Sequence, residues 1–241
     1  MHLIDYQQGQ ALKEGTLGDG IGIVCSGLFY EQIQSLRGNP TGFSRGPGSI
    51  FQLKPENAHS YSMDCINQGK IARLGNEEFS SKQARYEAIN KILQIRCDEL
   101  IVNLAFTASR QNWGNLLSSI AYTYLESTVW FEDSEILTLY PHFHLRHTLG
   151  YTQKRLSDMT QKLGDIVTSA PHESNPTTTK LIVKPTELKN LVKPETVQFL
   201  EDKVQRYQTL AKSILKKAGH EDLADSIGLI PIAQQDPSAS D

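Results

Sequence analysis

At 241 residues and 39% hydrophobic, the chain suits one large domain or two small ones with a real core. A formal charge of −3 excludes attraction of nucleic acid by net charge alone, so any such binding must come from a local patch. The three scattered cysteines, Cys25, Cys65 and Cys97, exclude a disulfide framework and fit reduced thiols in a cytoplasmic protein; no run approaches a membrane span, and no secretory signal is expected.

Residues 9–79 read as short strands broken by turns. Gly9, Gly15, Gly18, Gly20, Gly22 and Gly27 punctuate the first part. There Ile21, Ile23 and Cys25 alternate with Gly22, Val24 and Ser26, the pattern of a half-buried strand. Gly20-x-Gly22 lacks the third glycine and the following helix of a dinucleotide-binding loop. Gly38-Asn39-Pro40-Thr41-Gly42 and Gly46-Pro47-Gly48 are further turns. Tyr61 and Met63 share one strand face, and Ile71-Ala72-Arg73-Leu74 is another short strand. This spacing predicts a small β-barrel or jelly roll.

From Ser81 the period changes. Ile89, Leu93, Cys97, Leu100 and Leu104 recur at helical spacing, and no glycine or proline interrupts residues 82–110. That helix either covers the barrel or pairs with a copy of itself. A second helix runs through Trp113, Leu116, Leu117, Ile120, Ala121 and Leu125. An acidic run, Glu126, Glu132, Asp133 and Glu135, and a β-like stretch over 136–140 follow.

Residues 145–183 carry the outline of a helix-turn-helix. Leu145 and Leu149 share one face before Gly150, which stands where a left-handed turn is needed. Thr152 can cap a second helix whose Leu156, Met159 and Leu163 recur at steps of three and four. Its other face offers Gln153, Lys154, Ser157, Asp158 and Lys162 to bases or phosphates. Two β-rich runs around Pro171 and Pro176 suggest a wing hairpin. Arg146, Lys154, Arg155, Lys162, Lys180, Lys184 and Lys189 outnumber Asp158, Asp165, Glu173 and Glu187 over this region. An ordinary packed helical pair fits the same leucines.

His142, His144 and His147 raise a metal reading, as in a cupin. They precede a turn glycine rather than a strand, and no glutamate follows within a few residues, so no metal site is expected. No nucleophile and base are argued by spacing, and an enzyme is not expected. Beyond Pro185, Pro194 opens a helix in which Val197, Leu200, Val204, Tyr207, Ala211, Ile214 and Ala218 alternate at three and four, ended by Gly219. It either folds back on its own domain or reinforces a dimer; both stay open. Residues 234–241 read as a disordered tail.

The order of barrel, long helix, second helix, helix-turn-helix and wing resembles the CRP/FNR family of bacterial transcription regulators. The stretches that carry the likeness are short. They are Leu12-x-Glu14-Gly15-x-x-Gly18-Asp19-Gly20-Ile21, Gly46-Pro47-Gly48-Ser49-Ile50-Phe51, Ala72-Arg73-Leu74-x-x-Glu77-Glu78-Phe79, Asn103-Leu104-Ala105-Phe106 and the turn and helix from Gly150 to Leu163. The resemblance implies an α+β fold: a β-roll over 1–80, a dimerisation helix over 81–110 and a winged helix-turn-helix over 111–192. An extra C-terminal helix and tail then occupy 193–241. It implies a homodimer on double-stranded DNA with a palindromic operator, and admits RNA polymerase as a further partner.

Where the family's nucleotide binders place a Gly-Glu pair and an arginine, this chain has Gln52, Leu53 and His59, a degenerate pocket not expected to hold cyclic AMP in the usual way. Four cysteines for an iron–sulfur cluster are lacking. No cofactor is expected, and the effector is left open. On the recognition helix, Gln153 suits adenine and Lys154 guanine; Asp158 suits either a cytosine amino group or a neighbouring lysine. Thr152, Arg155 and Lys162 are placed for phosphates. A protein–protein regulator that kept the fold without operator binding is the alternative.

Overall fold

The computed structural model describes residues 1–12, 20–34, 41–52, 60–66, 68–109, 116–131, 137–139, 153–171 and 179–228. Eight strands come first: β1 (His2–Tyr6), β2 (Ala11–Leu12), β3 (Ile21–Ser26), β4 (Phe29–Gln34), β5 (Thr41–Arg45), β6 (Ile50–Gln52), β7 (Ser60–Cys65) and β8 (Gly69–Leu74). They form two antiparallel sheets of order β1-β8-β3-β6 and β2-β7-β4-β5. That crossed order is a jelly roll. Tyr6, Leu12, Val24, Phe29, Phe51, Met63, Cys65 and Ile71 form one apolar cluster drawn from both sheets. The alternate residues Ile21, Ile23, Cys25, Ile50, Ala72 and Leu74 join a second cluster with the helices. β3 is therefore buried along its whole length, not half-buried as its alternation suggests, because helices cover its second face.

A short 3₁₀ turn, Asn76–Glu78, leads to α1 (Lys82–Ser109). Ser81 accepts from the Ala84 amide at 3.1 Å and starts the helix. Ala88, Ile92, Ile95 and Glu99 are its buried side. α2 (Leu116–Thr128) is buried nearly all round; Ile120, Tyr124 and Leu125 are fully covered. Then come β9 (Leu137–Leu139), α3 (Gln153–Lys162), β10 (Val167–Pro171) and β11 (Thr179–Val183). The last two pair as an antiparallel hairpin, and β9 adds to β11.

Three helices close the described chain: α4 (Pro185–Lys189), α5 (Pro194–Lys217) and α6 (Glu221–Ser226). Pro194 begins α5, where a missing N–H costs nothing, and Gly219 at φ +80° ends it. Leu200, Val204, Tyr207, Ala211 and Ile214 are buried in the same cluster as the outer face of the first sheet and α1. Of the two readings left open for this helix, folding back on its own chain is the one observed.

Candidate nucleic-acid interface

α3 is the element the sequence marks for DNA contact. Its inner side is anchored. Thr160 is buried and its hydroxyl lies 3.1 Å from the Tyr124 hydroxyl of α2. Leu163, just past the helix, is 3% exposed. Lys154, Ser157, Asp158, Gln161 and Lys162 are all exposed on the other side. The helix ends through a 3₁₀ turn, Gly164–Ile166, directly into the β10–β11 hairpin, whose pairing runs from Val167↔Val183 to Pro171↔Thr179. Gln153 and Arg155 belong to α3, but their side chains lie outside the described residues, as do Thr152 and the preceding turn with Gly150. His142, His144 and His147 also fall outside them, as does the tail over 234–241.

The expected pairing helix α1 has two apolar sides. One packs against α5 and reaches the β-roll through Glu99 and Arg96. The other leaves Leu93 52%, Leu100 43%, Ile101 64% and Tyr86 57% exposed, the largest exposed apolar side chains apart from Leu3 among the described residues. Cys97 is exposed between them, and Ile89 is half-buried at the flank. Leu104 lies on α1 with its side chain outside the described residues. The seam reading of Leu93, Cys97 and Leu100 thus falls on an uncovered stripe; Tyr86 and Ile101 extend it and were not singled out from sequence. Gln52 ends β6 opposite Ile21, while Leu53 and His59 lie outside the described residues.

Behind α3 is a cluster of charges the sequence reading missed. Arg45, on β5, is 1% exposed and shares a sheet face with Glu31 of β4. It donates to Glu31 at 2.7 Å and to Glu99 of α1 at 2.8 Å. Arg96 of α1 also pairs with Glu31. Lys203 of α5 sits 3.2 Å from Glu99 and 3.4 Å from Glu126 of α2. Tyr207 of α5 donates to Glu99 at 3.1 Å, and the Arg45 guanidinium stands 5.6 Å from its ring. Lys203 lies 5.4 Å from the Trp130 ring.

Two buried cations, Arg45 and Lys203, and the half-buried Arg96 therefore balance three buried carboxylates. Burial alone would raise the Glu99 carboxyl, but Arg45 and Lys203 outweigh it and hold it at about 2. Burial is likewise overcome at Glu31 by Arg96 and Arg45, which lower it. Glu126 is raised, because its burial and the neighbouring Glu99 exceed what Lys203 returns. Glu126 reads in sequence as part of an acidic run; in the structure it is 3% exposed. The available signal was a charge at an apolar position: Glu99 continues the Ala88-Ile92-Ile95 row.

No family model matches the sequence, and no curated protein is detectably similar to it. Solved structures do match. A CRP/FNR-family transcriptional regulator of Thermus thermophilus is 14% identical with a TM-score of 0.54, over 79% of this chain and 97% of that one. FixK2 of Bradyrhizobium japonicum is 15% identical with a TM-score of 0.54, over 80% and 97%. A second Thermus thermophilus regulator, of the CRP family, is 12% identical with a TM-score of 0.54, over 78% and 95%. With a jelly roll, a long helix, and a helix and hairpin in that order, the chain has the fold of the CRP/FNR transcription regulators.

Proposed function

We propose that this chain is a non-enzymatic, cytoplasmic transcription regulator that binds a specific DNA sequence as a homodimer. The observation that carries the reading is α3: a helix pinned from behind by Thr160 and Leu163, open along Lys154, Ser157, Asp158 and Lys162, and followed by a hairpin. A helix so held can enter a major groove with its polar side leading. Gln153 and Lys154 then read adenine and guanine edges, and Asp158 accepts from a cytosine amino group. Thr152, Arg155 and Lys162 hold phosphates, and Ser157 serves either.

Residues 1–80 form the β-roll, 81–110 the dimer helix, 111–192 the DNA-binding half and 193–241 an extension. Pairing of two α1 helices along Leu93, Cys97 and Leu100, flanked by Ile89 and Leu104, presents two recognition helices for a palindromic site. Gln52, Leu53 and His59 offer neither the carboxylate nor the arginine expected for a cyclic nucleotide, so cyclic AMP does not bind by the usual contacts; calorimetric titration checks this.

Selection from random DNA tests the main reading. It returns a palindrome, and Lys154→Ala then relaxes preference at one base position per half-site. Lys162→Ala instead weakens binding to all sequences and lowers the salt slope by about one. No enriched sequence defeats the reading. The protein–protein alternative draws on the exposed Asp158, which repels phosphate, and gains ground in that case.

A further inference from the structure

α5 delivers a single cation to the place where carboxylates from two other helices meet. Lys203 bridges Glu99 of α1 and Glu126 of α2, and all three side chains are buried. Glu99 also has Arg45. For Glu126, Lys203 is the one cation within ion-pairing distance among the described residues. Take the ammonium away and Glu126 is left buried beside Glu99 with no cation of its own among the described residues.

The same helix holds the β-roll. Gln208 donates to the Pro47 carbonyl at 3.3 Å. Its Cγ and Cα lie 2.5 and 2.9 Å from where a Cβ on Gly48 would be, so the β5–β6 turn fits against α5 only as glycine. From the other side, Trp130, just beyond α2, closes on Gly46, where an added Cβ would stand 2.3 Å from the Trp130 Cβ. α2 in turn holds α3 through Tyr124 and Thr160. A continuous path of contacts runs from the roll through Lys203 to the recognition helix.

Resting on the reading of α3 as the DNA-contacting helix, we propose that α5 is an internal clamp. Lys203, held between Glu99 and Glu126, fixes α2, and through it α3, against the β-roll. The chain's own α5 thereby sets the arrangement that meets DNA.

Paired spin labels test this in the full-length protein without DNA. They are attached at Lys70→Cys on β8 and Ser157→Cys on α3, with Cys97→Ser, and the labelled chain is diluted into unlabelled protein. The parent gives one narrow distance with no small molecule added. Lys203→Met broadens it, and Lys203→Met combined with Glu126→Gln, which removes both charges, narrows it again. Affinity for the selected duplex, measured on unlabelled chains that keep Ser157 and Cys97, follows the same order, falling about tenfold or more for Lys203→Met and recovering in the double variant.

A distance unmoved by Lys203→Met, or not rescued in the double variant, overturns the clamp. If Lys203→Met does not fold, Tyr207→Phe takes its place: it removes only the hydroxyl on Glu99, and an unchanged distance in that variant overturns the clamp as well. Absence of DNA binding by the unlabelled chain with Ser157 and Cys97 intact, with the distances behaving as stated, defeats the DNA-binding reading and leaves the clamp standing.

Discussion

Leu100→Lys addresses the pairing of two α1 helices. Leu100 is 43% exposed in the single chain, and Leu93, Tyr86 and Ile101 lie exposed along the same stripe. Full burial of a leucine side chain is worth roughly 1.5–3 kcal/mol, so covering the part still exposed contributes about 1 kcal/mol per copy and about 2 for the pair. The substitution also sets two ammonium groups near each other across the two-fold axis. At roughly 7 Å and an effective dielectric near 20, their repulsion adds about 2 kcal/mol. The sum, about 4 kcal/mol, is about a thousandfold in the dimer dissociation constant. Sedimentation velocity at micromolar concentration reads the change, with circular dichroism confirming folded monomers. Leu3→Lys, on the exposed edge strand β1, is the control that leaves the dimer intact. Dimers that persist in Leu100→Lys as in the parent would refute the seam.

Three further substitutions or conditions probe the contacts behind the interface. Gly48 has φ +91° and a Cβ there meets Gln208, so Gly48→Ala is expected to lower stability by about 2–4 kcal/mol in urea melts; a loss under about 0.5 would mean that α5 does not press on this turn. Tyr124→Phe removes the hydroxyl 3.1 Å from Thr160 and should cost about 1 kcal/mol, with faster amide exchange in α3; unchanged exchange would disconnect α2 from α3. Glu99 titrates at about 2 in the fold against an ordinary 4.5, so its contribution is present above 4.5 and lost as pH falls from there toward 2. That shift corresponds to roughly 3 kcal/mol, opposed by Glu126, whose raised carboxyl favours the protonated form and whose contribution is lost as pH rises. Urea melts between pH 6 and pH 3 should show stability falling through that window, with a flatter profile in Glu99→Gln; equal slopes would remove Glu99 as the cause.

Periodicity carried much of the fold. The three-and-four alternation from Val197 to Ala218 marked both the length and the inner side of α5, and Gly219 its end. It did not say what covers that side, since the same residues would be buried against a second chain or against this one. On α1 the row Ile89, Leu93, Cys97, Leu100 identified the uncovered side. The opposite row was obscured by Glu99, whose charge conceals a buried position. The charge cluster escaped notice because its members are far apart in sequence: 54 residues separate Arg45 from Glu99, and 77 separate Glu126 from Lys203. Only folding brings them within reach, and a buried lysine and a solvated one look alike in a string of letters. The exposed face of α3 was legible because a short amphipathic helix leaves few ways to orient it.

The affinity of the purified protein for its selected duplex, followed by fluorescence anisotropy as salt rises from about 50 to 200 mM, tests the central claim most directly. Two protomers per duplex and an affinity that falls steeply and linearly on a log–log scale are predicted. Weak binding with no sequence preference, or none at all, would contradict it.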